Sequence, residues 1–231
     1  MAVVYLIPAV LHPEGYHAIS DTVITAIRSC EVFFTENERT TRRYFKQLWK
    51  EMVIDDYEWH TISDELQTTE HFRKSIQESK TIGIVSEAGC PGVADPGQKL
   101  VEIAQSMNAE VKPLTGPSSL LLALMASGMN GQQFQFVGYL PIDSAERKKA
   151  LKNLEEESAR KKSTQLFIET PYRNNRMLED ILKSCHPETK ICLAVNLTGP
   201  DESVKTKKVS DWKQKTPDLN KQQVVFLLYA G

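Results

Sequence analysis

The chain has 231 residues, enough for one large domain or two small ones, each with its own hydrophobic core. Apolar residues make up 41% of the sequence and charged residues 25%, proportions that indicate a folded protein and exclude an intrinsically disordered one. The formal net charge of −2 excludes a general electrostatic attraction to nucleic acid, so any RNA contact would have to use local basic patches.

The cysteines form no CxxC pair, and their spacing does not suit a zinc site; they are Cys30, Cys90, Cys185 and Cys192. We therefore expect free thiols in a reducing cytosol and no bound metal. The N-terminus lacks the basic region and the cleavage site of a signal peptide. No apolar run reaches the roughly 18 residues of a membrane span, so we expect a cytoplasmic protein.

The first half of the chain alternates β-rich runs with helical patterns. Strands are predicted at Val3–Pro8, Glu31–Thr35, Thr81–Ser86 and Glu110–Leu114, with weaker candidates at Met52–Ile54 and Trp59–Ile62. Helices are predicted at Ser20–Cys30, Thr40–Leu48, Asp64–Ser79 and Gly97–Met107. This alternation with short links predicts a parallel sheet that is covered on both faces and binds ligands beyond the carboxyl ends of its strands.

The pattern restarts after Pro117, so we predict two lobes, residues 1–115 and 116–231. Helices are predicted at Ser118–Ser127, Ala145–Lys162 and Asn174–Ser184, with Gly128 as the C-cap of the first. Strands are predicted at Phe134–Gly138, Gln165–Glu169, Lys190–Asn196 and Val224–Tyr229. This second half fits an α/β or an α+β lobe.

The segment Ser86–Gly97, SEAGCPGVADPG, is the densest functional signal because it follows the strongest predicted strand and precedes a helix. Its glycines would allow the backbone to approach a ligand closely or to adopt positive φ, and Glu87 and Asp95 add acceptors. The alternative is a long rigid turn. The segment matches neither GxGxxG nor a P-loop, so a dinucleotide or a nucleoside triphosphate is not favoured.

Three further segments end predicted strands. LTGPSS opens a helix at Ser118 and Ser119, where amides and hydroxyls suit a carboxylate, although a plain N-cap explains the serines equally well. FIETPYR places Glu169 at a strand end, where loop amides often satisfy such an acid. AVNLTG runs from a strand into a polar turn and is a weaker signal.

Two basic clusters could contact phosphates. Arg39, Arg42, Arg43 and Lys46 lie on one short helical segment, and a solvated helix face explains them as well as RNA binding does. The second cluster lies within 147–162 and is interleaved with Glu155–Glu157, which favours a solvated face.

Taken in order, YLIPAVL, ENERTTRR, SEAGCPGVADPG, LTGPSSLLLALMASGM with FVGYLP, FIETPYR and AVNLTG resemble the tetrapyrrole methylase superfamily over nearly the whole chain. The resemblance implies a two-lobed α/β fold, a homodimer, and S-adenosylmethionine bound in a cleft between the lobes. It implies cofactor contacts at Pro8, Ala88, Gly89, Cys90, Ser118, Ser119, Leu140, Glu169, Thr170, Asn196 and Leu197.

Within the superfamily, the chain is most similar to members that methylate a cytidine ribose 2′-hydroxyl in 16S rRNA of the small ribosomal subunit. We expect Arg39, Arg42 and Arg43 to hold RNA phosphates. Because a ribose hydroxyl is a poor nucleophile, we expect an acidic base, and Glu36, Glu38 and Glu87 are equal candidates. Two alternatives stay open: a methyltransferase of the same fold that acts on a corrin or porphyrin precursor, and a cofactor-binding protein without catalysis.

Overall fold

The computed structural model describes residues 1–62 and 66–231. It divides into two compact units, Met1–Ser118 and Ser119–Gly231. The sequence placed the division slightly earlier, between residues 115 and 116.

In its described part, the first unit holds a parallel five-stranded sheet in the order β3-β2-β4-β1-β5, as the alternation predicted. Its strands are β1 Val3–Ile7, β2 Val32–Thr35, β3 Glu58–Thr61, β4 Thr81–Val85 and β5 Glu110–Pro113. Its helices are α1 Asp21–Ser29, α2 Glu38–Leu48, α3 Leu66–Gln77 and α4 Gln98–Ser106, with short 3-10 turns at Gly15–Ala18 and Ile54–Asp56.

Both faces of this sheet are buried, so its central strands are apolar on both sides. Strand β2 shows this most simply: Phe34 packs in one core cluster and Phe33 in another, and both are fully buried. Gly83 makes room for Phe33, because a Cβ at Gly83 would lie 2.6 Å from the Phe33 ring.

The strand predicted at Met52–Ile54 is wrong, because Met52 and Val53 are irregular and Ile54 begins a 3-10 turn. Side chains satisfy the carbonyls of this segment: the Lys46 ammonium donates to the Met52 carbonyl at 2.9 Å, and the Trp59 indole donates to the Ile54 carbonyl at 3.0 Å. The predicted start of the following helix at Asp64 lies outside the described residues.

The second unit holds a mixed sheet in the order β6-β7-β10-β8-β9, in which β6 and β7 are parallel and the other pairs are antiparallel. Its strands are β6 Phe134–Tyr139, β7 Thr164–Ile168, β8 Lys190–Val195, β9 Ser203–Lys208 and β10 Val224–Tyr229. Its helices are α5 Ser119–Ser127, α6 Ser144–Lys161, α7 Asn174–Ser184 and α8 Val209–Gln214. Gly128 follows α5 with a φ of 67°, as its predicted C-cap role requires.

Strand β9 and helix α8 were not predicted. The β9 sequence, SVKTKK, lacks an apolar alternation, and the strand forms because its backbone pairs with β8 along six residues. Among the described helices, none combines the length and the apolar character that crossing a membrane demands.

Candidate functional site

Three strands of the first unit end side by side. Ile7 of β1 and Thr35 of β2 both pair with Val85 of β4, so the residues that follow each strand meet at one edge of the sheet. Pro8, Glu36 and Ser86 are these next residues. This edge is where open parallel sheets bind ligands.

The glycine-rich segment is fastened to the loop after β1 by an isolated β-bridge. The Ala9 amide donates to the Gly89 carbonyl at 2.8 Å, and the Gly89 amide donates to the Ala9 carbonyl at 3.1 Å. Gly89 has a φ of 74°, and a Cβ there would lie 3.2 Å from Leu11 Cδ2. The Ser86 hydroxyl donates to the Gly89 carbonyl at 3.2 Å. The turn is therefore rigid, and both proposals for this segment, a rigid turn and a ligand loop, are compatible with its geometry.

Pro8 is held from two sides. A Cβ at Gly116 would lie 2.2 Å from Pro8 Cβ, so only glycine allows this approach. The Tyr44 hydroxyl donates to the Pro8 carbonyl at 2.7 Å from a buried position on α2. This role of Tyr44 was not predicted, because an aromatic residue on an amphipathic helix is ordinarily a core residue.

Cys90 is half-buried beside the same turn, and its thiol donates weakly to the Pro117 carbonyl at 3.6 Å. Burial raises the pKa of the Cys90 thiol, so the group stays protonated at neutral pH. Ser118 is the last residue of the first unit, and Ser119 is the first residue of α5 in the second.

The candidate acids of the first unit lie close together but in different surroundings. Glu36 is half-buried, and its Oε1 accepts the Glu87 amide at 2.9 Å. Burial raises the pKa of Glu36, the hydrogen bond from the Glu87 amide opposes the shift, and the carboxylates of Asp95 and Glu87 add to it. Asp95 Oδ1 accepts the amides of Gly92 at 2.8 Å and Gly97 at 2.7 Å.

The other two acids are engaged by neighbouring side chains. Glu38 forms an ion pair with Arg42 within α2, and Glu87, which is exposed, accepts the Thr40 hydroxyl. The Arg42 guanidinium also lies over the Trp59 ring, with its central carbon 5.0 Å from the ring centroid.

Arg39 and Arg43 are exposed on α2, and in the part of the chain that the structure describes neither forms an ion pair. Asn37 caps this helix and accepts the Arg39 and Thr40 amides at 3.1 and 3.3 Å. Of the three arginines, Arg42 alone is occupied by an acidic partner and an aromatic ring.

The candidate residues of the second unit also meet at one sheet edge. Tyr139 of β6 pairs with Ile168 of β7, and the antiparallel strand β10 begins where β7 and β8 end, with Val224 opposite Val195. The residues that follow the three strands are Leu140, Glu169 and Asn196.

Glu169 is buried and makes an ion pair within its own loop. Its Oε1 accepts the Thr170 amide at 2.7 Å, Arg173 Nη2 at 2.7 Å and Arg173 Nε at 3.0 Å. This is the arrangement expected of a strand-end acid that is satisfied locally. Arg173 had no predicted role, although it closes the FIETPYR segment four residues after Glu169.

Asn196 organises the turn after β8 from a left-handed conformation, with a φ of 47°. Its amide donates to the Gln223 carbonyl at 2.8 Å, and its Oδ1 accepts the Gln223 amide at 3.0 Å. Leu197 is buried, and Thr198 is also left-handed, with a φ of 67°. Asparagine tolerates this conformation better than most residues. Asn196 therefore stabilises the backbone of this turn.

Two buried polar atoms beside this edge have no hydrogen-bond partner within residues 1–62 and 66–231: Asn174 Oδ1 and Thr198 Oγ1. Asn174 is fully buried, and its amide nitrogen donates to the Gln222 carbonyl at 2.7 Å. A buried polar atom without a partner costs about 1–3 kcal/mol, so a ligand that supplied one would recover that energy.

The loop that begins with Leu140 is held by a buried arginine that the sequence did not predict. Arg147 Nη1 donates to the carbonyls of Pro141 at 3.1 Å and Ile142 at 2.7 Å, and Arg147 Nε donates to Asp180 at 2.9 Å. Arg147 is 1% exposed. Arg147 opens the basic run RKK, for which the sequence favoured a solvated helix face.

The chain is similar to known proteins in sequence and in fold. A family model for tetrapyrrole (corrin/porphyrin) methylases matches residues 15–212. The chain is 34% identical over 198 residues to ribosomal RNA small subunit methyltransferase I of Micromonospora olivasterospora, an alignment that covers 86% of this chain and 60% of that protein. It is 27% identical over 234 residues to the protein of the same name from Vibrio cholerae serotype O1, with 99% of this chain and 77% of that protein covered.

The chain thus spans less than two thirds of the Micromonospora relative's length. Among solved structures, a diphthine synthase has the same fold, with a TM-score of 0.67 and 13% identity, over 100% of this chain and 90% of that chain. The family model covers most of the sequence, and the strand-end segments lie within the matching fold. The chain therefore belongs to the tetrapyrrole methylase family, a family of methyltransferases.

Proposed function

We propose that this chain is an S-adenosylmethionine-dependent methyltransferase that acts on small-subunit ribosomal RNA, at the 2′-hydroxyl of a cytidine ribose. The observation that carries the proposal is the rigid glycine-rich turn, which is bridged to Ala9 at the carboxyl ends of β1 and β4. The family match and the names of the two relatives support the substrate class.

The residues at both sheet edges fit the proposed cofactor. In the first unit, Gly116 lets Pro8 approach closely, and the left-handed Gly89 holds the glycine-rich turn against the loop after β1. In the second unit, Asn174 Oδ1 and Thr198 Oγ1 are buried polar atoms that a ligand with amine and hydroxyl groups could satisfy. We assign cofactor contacts to Pro8, Ala88, Gly89, Cys90, Ser118, Ser119, Leu140, Glu169, Thr170, Asn196 and Leu197.

S-adenosylmethionine supplies an electrophilic methyl group on a sulfonium sulfur. The protein has to align the acceptor oxygen with that carbon, exclude water and receive a proton. The Gly89–Ala9 bridge and the Tyr44–Pro8 hydrogen bond keep the backbone of this edge in place.

Glu36 is the base we assign among the three candidate acids. Its carboxyl group is half-buried and has a raised pKa, which brings it closer to the range useful for proton transfer near neutral pH. Glu38 is neutralised by Arg42, and Glu87 is exposed and bound to the Thr40 hydroxyl. Glu36 would accept the proton of the ribose hydroxyl as the new bond to carbon forms.

Arg39 and Arg43 are the phosphate contacts that we retain from the arginine cluster, since both side chains are exposed. Arg42 is better explained as a structural residue, because Glu38 and the Trp59 ring already engage its guanidinium. The homodimer, which the resemblance predicts, and the cytoplasmic location, which the sequence predicts, both stay predictions.

The experiment that tests the function is transfer of labelled methyl from S-adenosylmethionine to small ribosomal subunits that lack the modification, followed by nucleoside analysis. Labelled 2′-O-methylcytidine is the expected product. Cofactor binding without label on RNA, but with label on a corrin or porphyrin precursor, would replace the proposed substrate. Cofactor binding without turnover on any acceptor would remove catalysis from the proposal.

Two glycine variants test whether the close approach of Gly116 to Pro8 is needed for activity. Gly116→Ala places a Cβ against Pro8 and is expected to abolish transfer. Gly131→Ala adds the same methyl group where no heavy atom lies within 4 Å, and activity should be retained. Equal activity of the two variants would contradict a role for the Pro8 edge.

A further inference from the structure

The second unit carries a groove beside its edge strand, β9, with a volume of about 450 Å³. Its lining combines apolar side chains with lysines: Leu193, Val195, Trp212, Lys205, Lys207 and Lys215. We call it the lysine groove. It is within the volume range of small-ligand sites, about 300–1,000 Å³, but it borders a sheet edge and not an enclosed core.

Strand alternation explains why an apolar floor and a basic rim lie together. Lys205 pairs with Leu193 and Lys207 pairs with Ile191, so both lysines lie on the sheet face that carries the core residues of β8. Thr206, between them, points to the other face, where its hydroxyl donates to the Ser127 carbonyl at 2.7 Å. The lysine stems can therefore cover apolar surface while the ammonium groups stay in solvent.

The charge of this region differs from that of the whole chain. Residues 203–221 contain six lysines and two aspartates, whereas the whole chain has a formal net charge of −2. Lys208 is paired with Glu188 at 2.6 Å. Across the described residues, Lys205, Lys207 and Lys215 form no ion pair. Lys207 Nζ lies 4.8 Å from the centroid of the Trp212 ring.

The aspartates that line the groove are already engaged by other groups. Asp201 Oδ2 accepts the Asn196 side-chain amide at 2.6 Å. Asp218 Oδ1 accepts the Asn175 side chain at 2.7 Å and the Asn220 amide at 3.0 Å, and these bonds lower the pKa of Asp218. Both carboxylates bind neutral amide donors and keep their charge, so the three lysines of the lining exceed its two aspartates and the groove keeps a positive excess.

We propose that the lysine groove binds the phosphodiester backbone of the RNA substrate. The inference rests on the proposed function and adds a contact surface to it. Ser203 pairs with Val195, the residue before Asn196, so the groove begins at the candidate edge of the second unit. Lys207 lies about 13 Å further along β9, at about 3.3 Å per residue. RNA that follows the strand would keep its backbone on the lysines and a nucleotide near that edge.

Lysines on an edge strand have a second explanation, because they prevent edge-to-edge aggregation. That role requires charge but no RNA. The two explanations differ in one measurable quantity, the salt dependence of RNA binding, because each phosphate contact that is lost lowers its slope by about 0.7–0.9.

The test compares the triple variant K205Q/K207Q/K215Q with the wild-type chain in binding to protein-free small-subunit ribosomal RNA over a series of salt concentrations. We expect the slope of log affinity against log salt to fall by about 2, and the affinity at low salt to fall about tenfold. Affinity for S-adenosylmethionine, measured by calorimetry, should not change. The variant K205R/K207R/K215R should bind RNA like the wild type.

The matched control is K74Q/K161Q/K183Q, which removes the same charge from helix lysines that are each paired with a glutamate four residues away. A slope equal to that of the control would overturn the lysine groove while leaving RNA methylation by the wild type intact. Loss of binding to intact subunits but not to naked RNA would overturn it in favour of a protein contact. A wild type that neither binds nor methylates RNA would reject the proposed function as well.

Discussion

The three candidate acids of the first unit are Glu36, Glu38 and Glu87. They differ in what surrounds each carboxyl group: the backbone amide of Glu87 and the nearby Asp95 for Glu36, Arg42 for Glu38, and the Thr40 hydroxyl for Glu87. Glu36 combines partial burial with a raised pKa. The choice among these acids therefore depends on long-range neighbours.

The raised pKa of Glu36 predicts a pH dependence of the reaction. Because the base must be ionised, single-turnover methyl transfer should rise with pH through a midpoint above the ordinary glutamate value of about 4.3. Glu36→Gln should remove this rise and slow transfer about 10²- to 10⁴-fold. Glu38→Gln is the control and should keep the midpoint, whereas Glu87→Gln should lower it, because the Glu87 carboxylate adds to the raised pKa of Glu36. If Glu87→Gln instead removed it, the base would be Glu87.

The same shift has a consequence for stability with the opposite sign. A carboxyl group whose pKa is raised on folding binds its proton more tightly in the folded state, so the contribution is present at low pH and lost as pH rises through the folded pKa. Urea titrations should show that Glu36→Gln reduces this fall in unfolding free energy. Activity and stability should therefore change in opposite directions over one pH range.

Helices α6 and α7 are joined by the ion pair of Arg147 and Asp180. Both side chains are nearly inaccessible, at 1% and 5% exposure, and the Ser144 hydroxyl also donates to Asp180. Arg147 in turn holds the carbonyls of the loop that begins with Leu140. This pair connects helix packing to a loop of the candidate site.

Removing one partner of this pair should be more harmful than replacing both. Arg147→Met would leave Asp180 buried without its main counter-charge and should cost about 3–5 kcal/mol in unfolding free energy. The double variant Arg147→Met/Asp180→Leu leaves no buried charge and should cost less than the single one. The measurement is urea denaturation followed by Trp212 fluorescence in a Trp49→Phe/Trp59→Phe background.

An exposed pair on the same helix serves as the control. Lys183 and Glu179 are 64% and 60% exposed, so Lys183→Met should cost no more than about 0.5 kcal/mol. A loss as small as this for Arg147→Met would show that the buried pair does not hold the two helices.

The lysines of β9 show the limit of pattern reading at the level of an element. A strand is recognised by alternation of apolar and polar residues, and SVKTKK has none. The strand exists because β8 offers an unpaired backbone edge, and its lysines lie along a groove because β8 supplies an apolar floor. Both contributions come from β8, so no pattern within β9 itself reveals them.

At the scale of the whole molecule, each compact unit has a sheet edge with candidate residues, and each has its own tryptophan reporters. Trp49 and Trp59 lie in the first unit and Trp212 lies in the second. That the cofactor contacts both units stays a prediction from the family resemblance.

This prediction can be tested by unfolding each unit with its own reporter. One variant, Trp212→Phe, retains Trp49 and Trp59, and the other, Trp49→Phe/Trp59→Phe, retains Trp212. At about 100 times its Kd, S-adenosylmethionine should add about 2.7 kcal/mol to the unfolding free energy reported in each variant. A change in one variant only would restrict the cofactor to that unit.

The sequence by itself determined the order of most strands and helices, the parallel sheet of the first unit and the segments that end its strands. These features follow from local periodicity and from glycine and proline positions, which act within a few residues. The family resemblance depended on the same segments in order. Met52–Ile54 was misread as a strand because a short apolar run does not reveal whether its carbonyls meet a neighbouring strand or side chains.

Only the tertiary structure decided what those segments contact. It brought Tyr44 to Pro8, gave Glu169 its partner Arg173, buried Arg147 against Asp180, and placed Lys207 over the Trp212 ring. The physical reason is that desolvation and charge pairing depend on atoms within a few ångströms, and folding selects those atoms from residues far apart in the chain.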